Sequence, residues 1–146
     1  MTTWVYPGVG VSPIYRSSHI YPSALAEGSG GEVNKDCIFC RIISGEFQSD
    51  ILYQDDEVIA LRDINPQAPT HILIMPKAHI PSLAEITKDH QALMGHLVHV
   101  AGELAKSEGI AARGYRLVIN SGPDSGQEVP HLHLHILGGH KLGKLG

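Results

Sequence analysis

Between Pro130 and Leu137, histidine alternates with branched apolar residues. A β-strand sends successive side chains to opposite faces. This period of two therefore predicts a strand with Leu132, Leu134 and Ile136 turned to the core and His131, His133 and His135 lining the other face. Strand positions are ordinarily filled by Thr, Val or Tyr, so three spaced imidazoles match no strand preference. They could simply fill a half-exposed polar face. The pattern points instead to chemistry: metal binding, anion binding, or exchange of protons and phosphoryl groups near neutral pH.

The rest of the chain supplies a frame for that strand. Ile38, Phe39, Ile42 and Ile43 share a face of a short helix that Asp36 would cap and Gly45 would stop. Ile51 to Tyr53 and Val58 to Leu61 are short strand-like runs around Asp55-Asp56, a hairpin signal, and Thr70 to Met75, closed by Pro76, suits a buried strand. Asp63 to Pro69 is a loop fixed by two prolines, with a turn at Asn65-Pro66. Leu93, Leu97, Val100, Ala101 and Leu104 recur at helical spacing, predicting a long helix over 88–108 with Gly109 at its left-handed cap. His90, His96 and His99 lie on it; His96 and His99 have a chelating spacing but no third ligand nearby in sequence, and all three read as solvated surface residues. Tyr115 to Ile119 is the next strand, and Asn120 to Val129 is a Gly-rich loop leading into the histidines. No internal repeat is visible. Five strand segments around one long helix, with short links, predict an α+β domain with a mainly antiparallel sheet.

Residues 1–35 differ in texture: Pro7, Pro13, Pro22 and the Gly28-Ser29-Gly30-Gly31 run predict a flexible extension before a domain over 36–146. Trp4, Tyr6, Tyr15 and Tyr21 within it could still dock on the domain or a partner. The net charge of −4, without a basic run, argues against broad electrostatic binding to nucleic acid. No apolar run reaches the roughly 20 residues needed to span a bilayer, and no secretion signal is recognisable, so a cytoplasmic location is expected. In that reducing compartment Cys37 and Cys40, three apart, read as a metal half-site or a redox pair before a structural disulfide.

The loop Asn120-Ser121-Gly122-Pro123-Asp124-Ser125-Gly126-Gln127-Glu128 adds function. Glycines let backbone N–H groups approach an anion, and Asn and Ser add donors. Beside three aligned imidazoles, such a loop would supply donors next to a nucleophile. A neutral imidazole attacks phosphorus, and the phospho-histidine that results is labile enough to hydrolyse. One histidine would attack while its neighbours orient, donate and protonate.

These motifs carry a resemblance. The Pro130–Leu137 segment matches the His-x-His-x-His-x-x pattern of the histidine triad (HIT) superfamily. Its surroundings resemble the Hint branch, the purine nucleoside phosphoramidases also called protein kinase C inhibitor-like proteins. The similarity runs in order through Cys37-Ile38-Phe39-Cys40, Asp63 to His71, Met75 to His79, the Asn120 loop and Gly138-Gly139. It implies a five-stranded sheet extended across a homodimer, with a purine nucleoside monophosphate, or its amine conjugate, in each site. By the resemblance His133 is the nucleophile, His135 binds the phosphate, and His71 with His131 supports the imidazole network. Asp63 receives the ribose hydroxyls, as a carboxylate can, and Ile64 packs beside the nucleoside. Asn120, Gly126, Gln127 and Glu128 surround the phosphate.

Two positions depart from many relatives. Glu128 stands where many animal members carry Ser, although bacterial members resemble this chain in having Glu, and an acid there could protonate a departing amine. The ending His140 to Gly146 lacks the Trp-Pro-Pro-Gly through which some relatives shape the partner's site. A zinc-binding subset of the superfamily further implies Cys37, Cys40, His79 and His131 as a closed structural zinc set; the rival is a reduced thiol pair facing the core. The implied activity is hydrolysis of the P–N bond of AMP or GMP conjugates. Dinucleoside polyphosphate hydrolysis, nucleotide transfer, a nucleotide-binding interaction module, and a metal enzyme using all three triad histidines as ligands are the competing expectations.

Overall fold

The computed structural model describes residues 34–146; apart from Asn34 and Lys35, the expected extension and its four aromatic residues lie outside the described residues. Helix α1 is Ile38–Ile43. Its N-cap is Cys37 and not the expected Asp36: the Cys37 Sγ accepts from the Cys40 N–H at 3.4 Å, while Asp36 donates its own N–H to Asn34 Oδ1. The predicted apolar face is also different. Phe39 and Cys40 are buried, and Ile38 is 40% exposed.

Five strands follow: β1 (Ile51–Gln54), β2 (Val58–Arg62), β3 (Thr70–Pro76), β4 (Tyr115–Ile119) and β5 (Leu134–Gly138). They form one sheet in the order β1-β2-β3-β5-β4, antiparallel throughout. The β1–β2 turn is made by Asp55, whose Oδ1 accepts from the N–H groups of Glu57 and Val58, both at 2.8 Å. Helix α2 is Gln91–Ser107, preceded by a 3₁₀ turn at Lys88–His90, so the expected helix loses its first turn to the Thr87 cap. Gly109 follows with φ 76°, the left-handed conformation expected of a helix-ending glycine. No helix among the described residues is long and apolar enough to cross a membrane.

Both faces of the sheet are covered, which explains the nearly continuous apolar runs of β2 and β3. Val58, Ala60, Ile72, Ile74, Leu134 and Ile136 pack with Leu97, Val100, Ala101 and Leu104 of α2. Ile59, Leu61, Leu73 and Met75 point the other way and pack with Cys37, Phe39 and Cys40 under α1. Burying these side chains is worth roughly 1.5–3 kcal/mol each, before the conformational entropy that ordering them costs. A bulge between Ile51 and Tyr53 lets the edge strand serve both layers.

The histidine segment keeps its predicted alternation but not its predicted length. Leu132 joins Leu134 and Ile136 in the α2 layer, and the histidines lie on the α1 side. The ladder starts only at Leu134. Pro130 has no N–H, the His131 N–H turns back to Val129 O, and the Leu132 N–H reaches Ile80 O outside the sheet. Two histidines expected to be solvated on the long helix are engaged instead. His96 Nε2 lies 2.5 Å from Asp55 Oδ2, and His90 Nδ1 accepts from the Thr87 N–H at the turn before α2. His99 is exposed, as expected.

Candidate active site

The triad rings are distinguished by what their nitrogens meet. His133 Nδ1 lies 2.6 Å from the backbone oxygen of His131. A carbonyl only accepts, so Nδ1 carries the proton and the lone pair sits on Nε2. His131 is fixed in the same way: Nε2 donates to Pro76 O at 2.8 Å, and Nδ1 faces the Cys37 and Cys40 sulfurs at 3.5 and 3.6 Å. These bonds aim His131 and His133 differently. Among the described residues the ligand atoms that lie together are those of Cys37, Cys40, His79 and His131 and those of Asp63, His71 and His135, so the geometry gives no support to all three triad histidines sharing one metal.

A second chain of bonds orients His135. The Gln67 N–H donates to His71 Nδ1 at 2.9 Å, so the His71 proton is on Nε2, 2.9 Å from His135 Nδ1 and 3.4 Å from Asp63 Oδ2. His135 Nδ1 must then accept, and its Nε2–H is the donor left for a group in the cavity. Burial pushes the pKa of His71 below its ordinary value, with Asp63 opposing, and pushes His135 down to about 4, with His133 and His71 adding to the effect. Both rings are neutral at pH 7. That is the state the bonding pattern requires, because a proton on His71 Nδ1 would face the Gln67 N–H.

The cavity in front of these rings has a volume of about 520 Å³ and brings together His133, His135, His71, Asp63, Asn120 and Glu128. Gly126 and Ile64 line it too, Ile64 at its rim with 90% exposure. Asp63 combines two roles: Oδ1 caps the Asn65 N–H at 2.8 Å, and Oδ2 faces His71. The apolar wall escaped the sequence reading: Ile38, Phe39 and Ile42, read only as one face of a short helix, line the cavity. Phe39 sets its edge against the His133 ring, with centroids 5.1 Å apart. The available signal was a six-residue helix apolar on more than one side.

The Gly-rich loop differs from the cradle of converging N–H groups that its composition suggests. Gly122 and Gly126 adopt left-handed φ of 85°, but their N–H groups close the loop on itself, to Gln127 Oε1 and Pro123 O. Gln127 does not line the cavity. Its Nε2 braces the loop against Pro81 O at 2.8 Å and Val129 O at 3.0 Å.

On the other side of His131, the ligand atoms of Cys37, Cys40, His79 and His131 lie within 4.8 Å of one another. Cys40 Sγ is 3.2 Å from His79 Nδ1. A tetrahedral ion with bonds of about 2.3 Å to sulfur and about 2.0 Å to nitrogen has S···N edges of about 3.5 Å, close to the 3.2, 3.5 and 3.6 Å observed. The Pro76 carbonyl holds the His131 proton on Nε2, leaving Nδ1 as a ligand. The four residues fit a metal. Burial pushes the Cys40 thiol up to about 11, so without an ion it keeps its proton; burial likewise holds His131 neutral, at about 4.

Comparison with known proteins agrees with this arrangement. Residues 44–142 match the family model described as the HIT domain. The chain is 50% identical over 111 residues to the purine nucleoside phosphoramidase of Escherichia coli, covering 76% of this chain and 93% of that protein. Among solved structures, a histidine triad protein from Clostridium difficile superposes with TM-score 0.74 at 45% identity, covering 77% of this chain and 98% of that one. A HIT family hydrolase from Legionella pneumophila superposes with TM-score 0.72 at 44% identity, covering 73% and 96%. The chain belongs to the HIT domain family.

Proposed function

We propose that this chain is a purine nucleoside phosphoramidase, hydrolysing the P–N bond of AMP or GMP joined to an amine. The observation that carries this reading is the 2.6 Å bond from His133 Nδ1 to the His131 carbonyl, which leaves the Nε2 lone pair beside the outward N–H of His135. The similarity to the E. coli phosphoramidase supports the same reaction.

In this reading the purine packs on Ile38, Phe39, Ile42 and the exposed Ile64, and the ribose hydroxyls donate to Asp63. His135 Nε2–H and Asn120 bind the phosphate oxygens, where negative charge gathers in the transition state. His133 Nε2 attacks the α-phosphorus. An N–P bond forms to the ring as the bond to the amine nitrogen breaks, and Glu128 delivers a proton to the departing nitrogen. Water, giving one proton back to the Glu128 carboxylate, then attacks the same phosphorus as the N–P bond to His133 breaks, releasing the nucleoside monophosphate and restoring the imidazole. Gln127 and Gly126 shape the loop around this phosphate. The remaining role of His131 is support.

Cys37, Cys40, His79 and His131 would hold zinc. With all four ligands drawn from the protein, such an ion would supply structure and polarise its ligands and would not activate a reacting water. The functional unit is a cytoplasmic homodimer joined through β4, a half-exposed strand at the edge of the sheet. An adenosine 5′-phosphoramidate carrying a fluorescent amine tests the reading. Wild type releases the amine, and His133→Ala lowers kcat/KM by roughly 10³-fold or more. A folded wild type that binds AMP without releasing amine would contradict it and direct attention to dinucleotides or to a binding role.

A further inference from the structure

His131 belongs to both constellations, and through different atoms. Its side-chain Nδ1 meets the two cysteine sulfurs, while its backbone oxygen receives the His133 Nδ1–H. Phe39 sits between the two cysteines in sequence and makes edge contacts with both rings, at 5.9 Å to His131 and 5.1 Å to His133. The pocket side of His133 is thus framed by α1, and α1 is held at both of its cysteines by His131 and His79. Cys37 also caps α1 through the Cys40 N–H. One cluster therefore fixes the helix, the wall of the cavity and the carbonyl that selects the reactive ring form.

We propose that the Cys37/Cys40/His79 cluster is a positioning device for the nucleophile: metal held there fixes His131 and Phe39 so that His133 is kept as the tautomer with its lone pair on Nε2. The three residues are positioning residues and touch no substrate. Without an ion, the Nδ1 side of His131 keeps only contacts to sulfur, and a thiol is a weak donor; the bond from Nε2–H to Pro76 O is the one strong side-chain bond left to the ring. The carbonyl then has room to drift, and the Nε2–H form of His133 becomes populated. Its lone pair points at the backbone, and attack from it is impossible. This inference rests on the phosphoramidase reading for its catalytic consequence, but its structural half stands apart.

The test is ring-nitrogen NMR of ¹⁵N-histidine-labelled full-length protein, zinc-loaded and after chelation, with zinc then restored. His79→Ala, at the half-buried ligand, gives a second way to weaken the cluster. Zinc-loaded protein is expected to show His133 as the Nδ1–H tautomer alone. Chelation or His79→Ala should shift the ratio of the two tautomers roughly tenfold toward Nε2–H, the scale of one hydrogen bond lost, lower kcat in proportion to the Nδ1–H fraction lost with a smaller change in KM, and reverse when zinc is restored to wild type. An unchanged His133 tautomer in whichever arm stays folded, or unfolding in both arms, overturns the proposal. A tautomer shift on chelation, in a protein that never releases amine even when zinc-loaded, would leave the positioning role standing and remove the phosphoramidase reading.

Discussion

One backbone oxygen decides which nitrogen of His133 offers its lone pair. The identities of the residues concerned were legible from their spacing, since alternation alone separates the histidine face from Leu132, Leu134 and Ile136. Which nitrogen each ring offers was not, because it depends on partners distant in sequence: Pro76 for His131 and the Gln67 N–H for His71. The same holds for His96, whose partner Asp55 is 41 residues away. The neutral state of the His71–His135 pair has a measurable consequence. His135 titrates near 4 in the folded chain and near 6.5 when unfolded. Between those values the unfolded state binds a proton that the folded state refuses, so stability is full above pH 6.5 and falls as the pH drops toward 4. Allowing for solvent screening at this partly exposed ring, its share is on the order of 1–2 kcal/mol. Urea unfolding at pH 7 and pH 4.5 should show a smaller loss in His135→Asn than in wild type; an equal loss would assign the acid sensitivity elsewhere.

At the scale of elements, strands and helices followed the hydrophobic pattern closely, and the misses occurred where a side chain replaced a regular pattern. Cys37 displaced Asp36 as the cap of α1 because its sulfur is already held beside the Cys40 N–H. The histidine strand lost its first turn of ladder to bonds with Val129 and Ile80. Gly138-Gly139 was legible as a motif, and the structure adds the reason. A Cβ on Gly138 would lie 2.8 Å from Ile110 Cδ1. One on Gly139, at φ 98°, would lie 2.8 Å from the Pro69 Cβ at the end of the Asp63 loop. The Gly-rich loop is organised by Gln127, which joins Gly122, Pro81 and Val129. Gln127→Ala should therefore lower kcat/KM for amine release roughly tenfold by loosening the loop, while Tm falls by only a few degrees. Unaltered kinetics would show that the brace is dispensable.

For the whole molecule, covering both faces of one sheet places apolar packing under α2 and chemistry under α1. Composition and periodicity were sufficient for that α+β frame, but α1 as a wall of the cavity emerges only when Phe39 is seen against His133. The open edge at β4 fits the proposed dimer, and light scattering of the purified chain should give twice the 15.8 kDa of one protomer; a monomer that still turns over would separate activity from assembly. The central claim, that His133 Nε2 carries the nucleotide, is tested most directly by rapid acid-free quenching of enzyme mixed with excess phosphoramidate, followed by intact mass and peptide mapping. A transient gain of one nucleotidyl group on the peptide containing His133, absent in His133→Ala, is the predicted result. Amine release with no adduct at any time in wild type, or at the wild-type rate in His133→Ala, would contradict it.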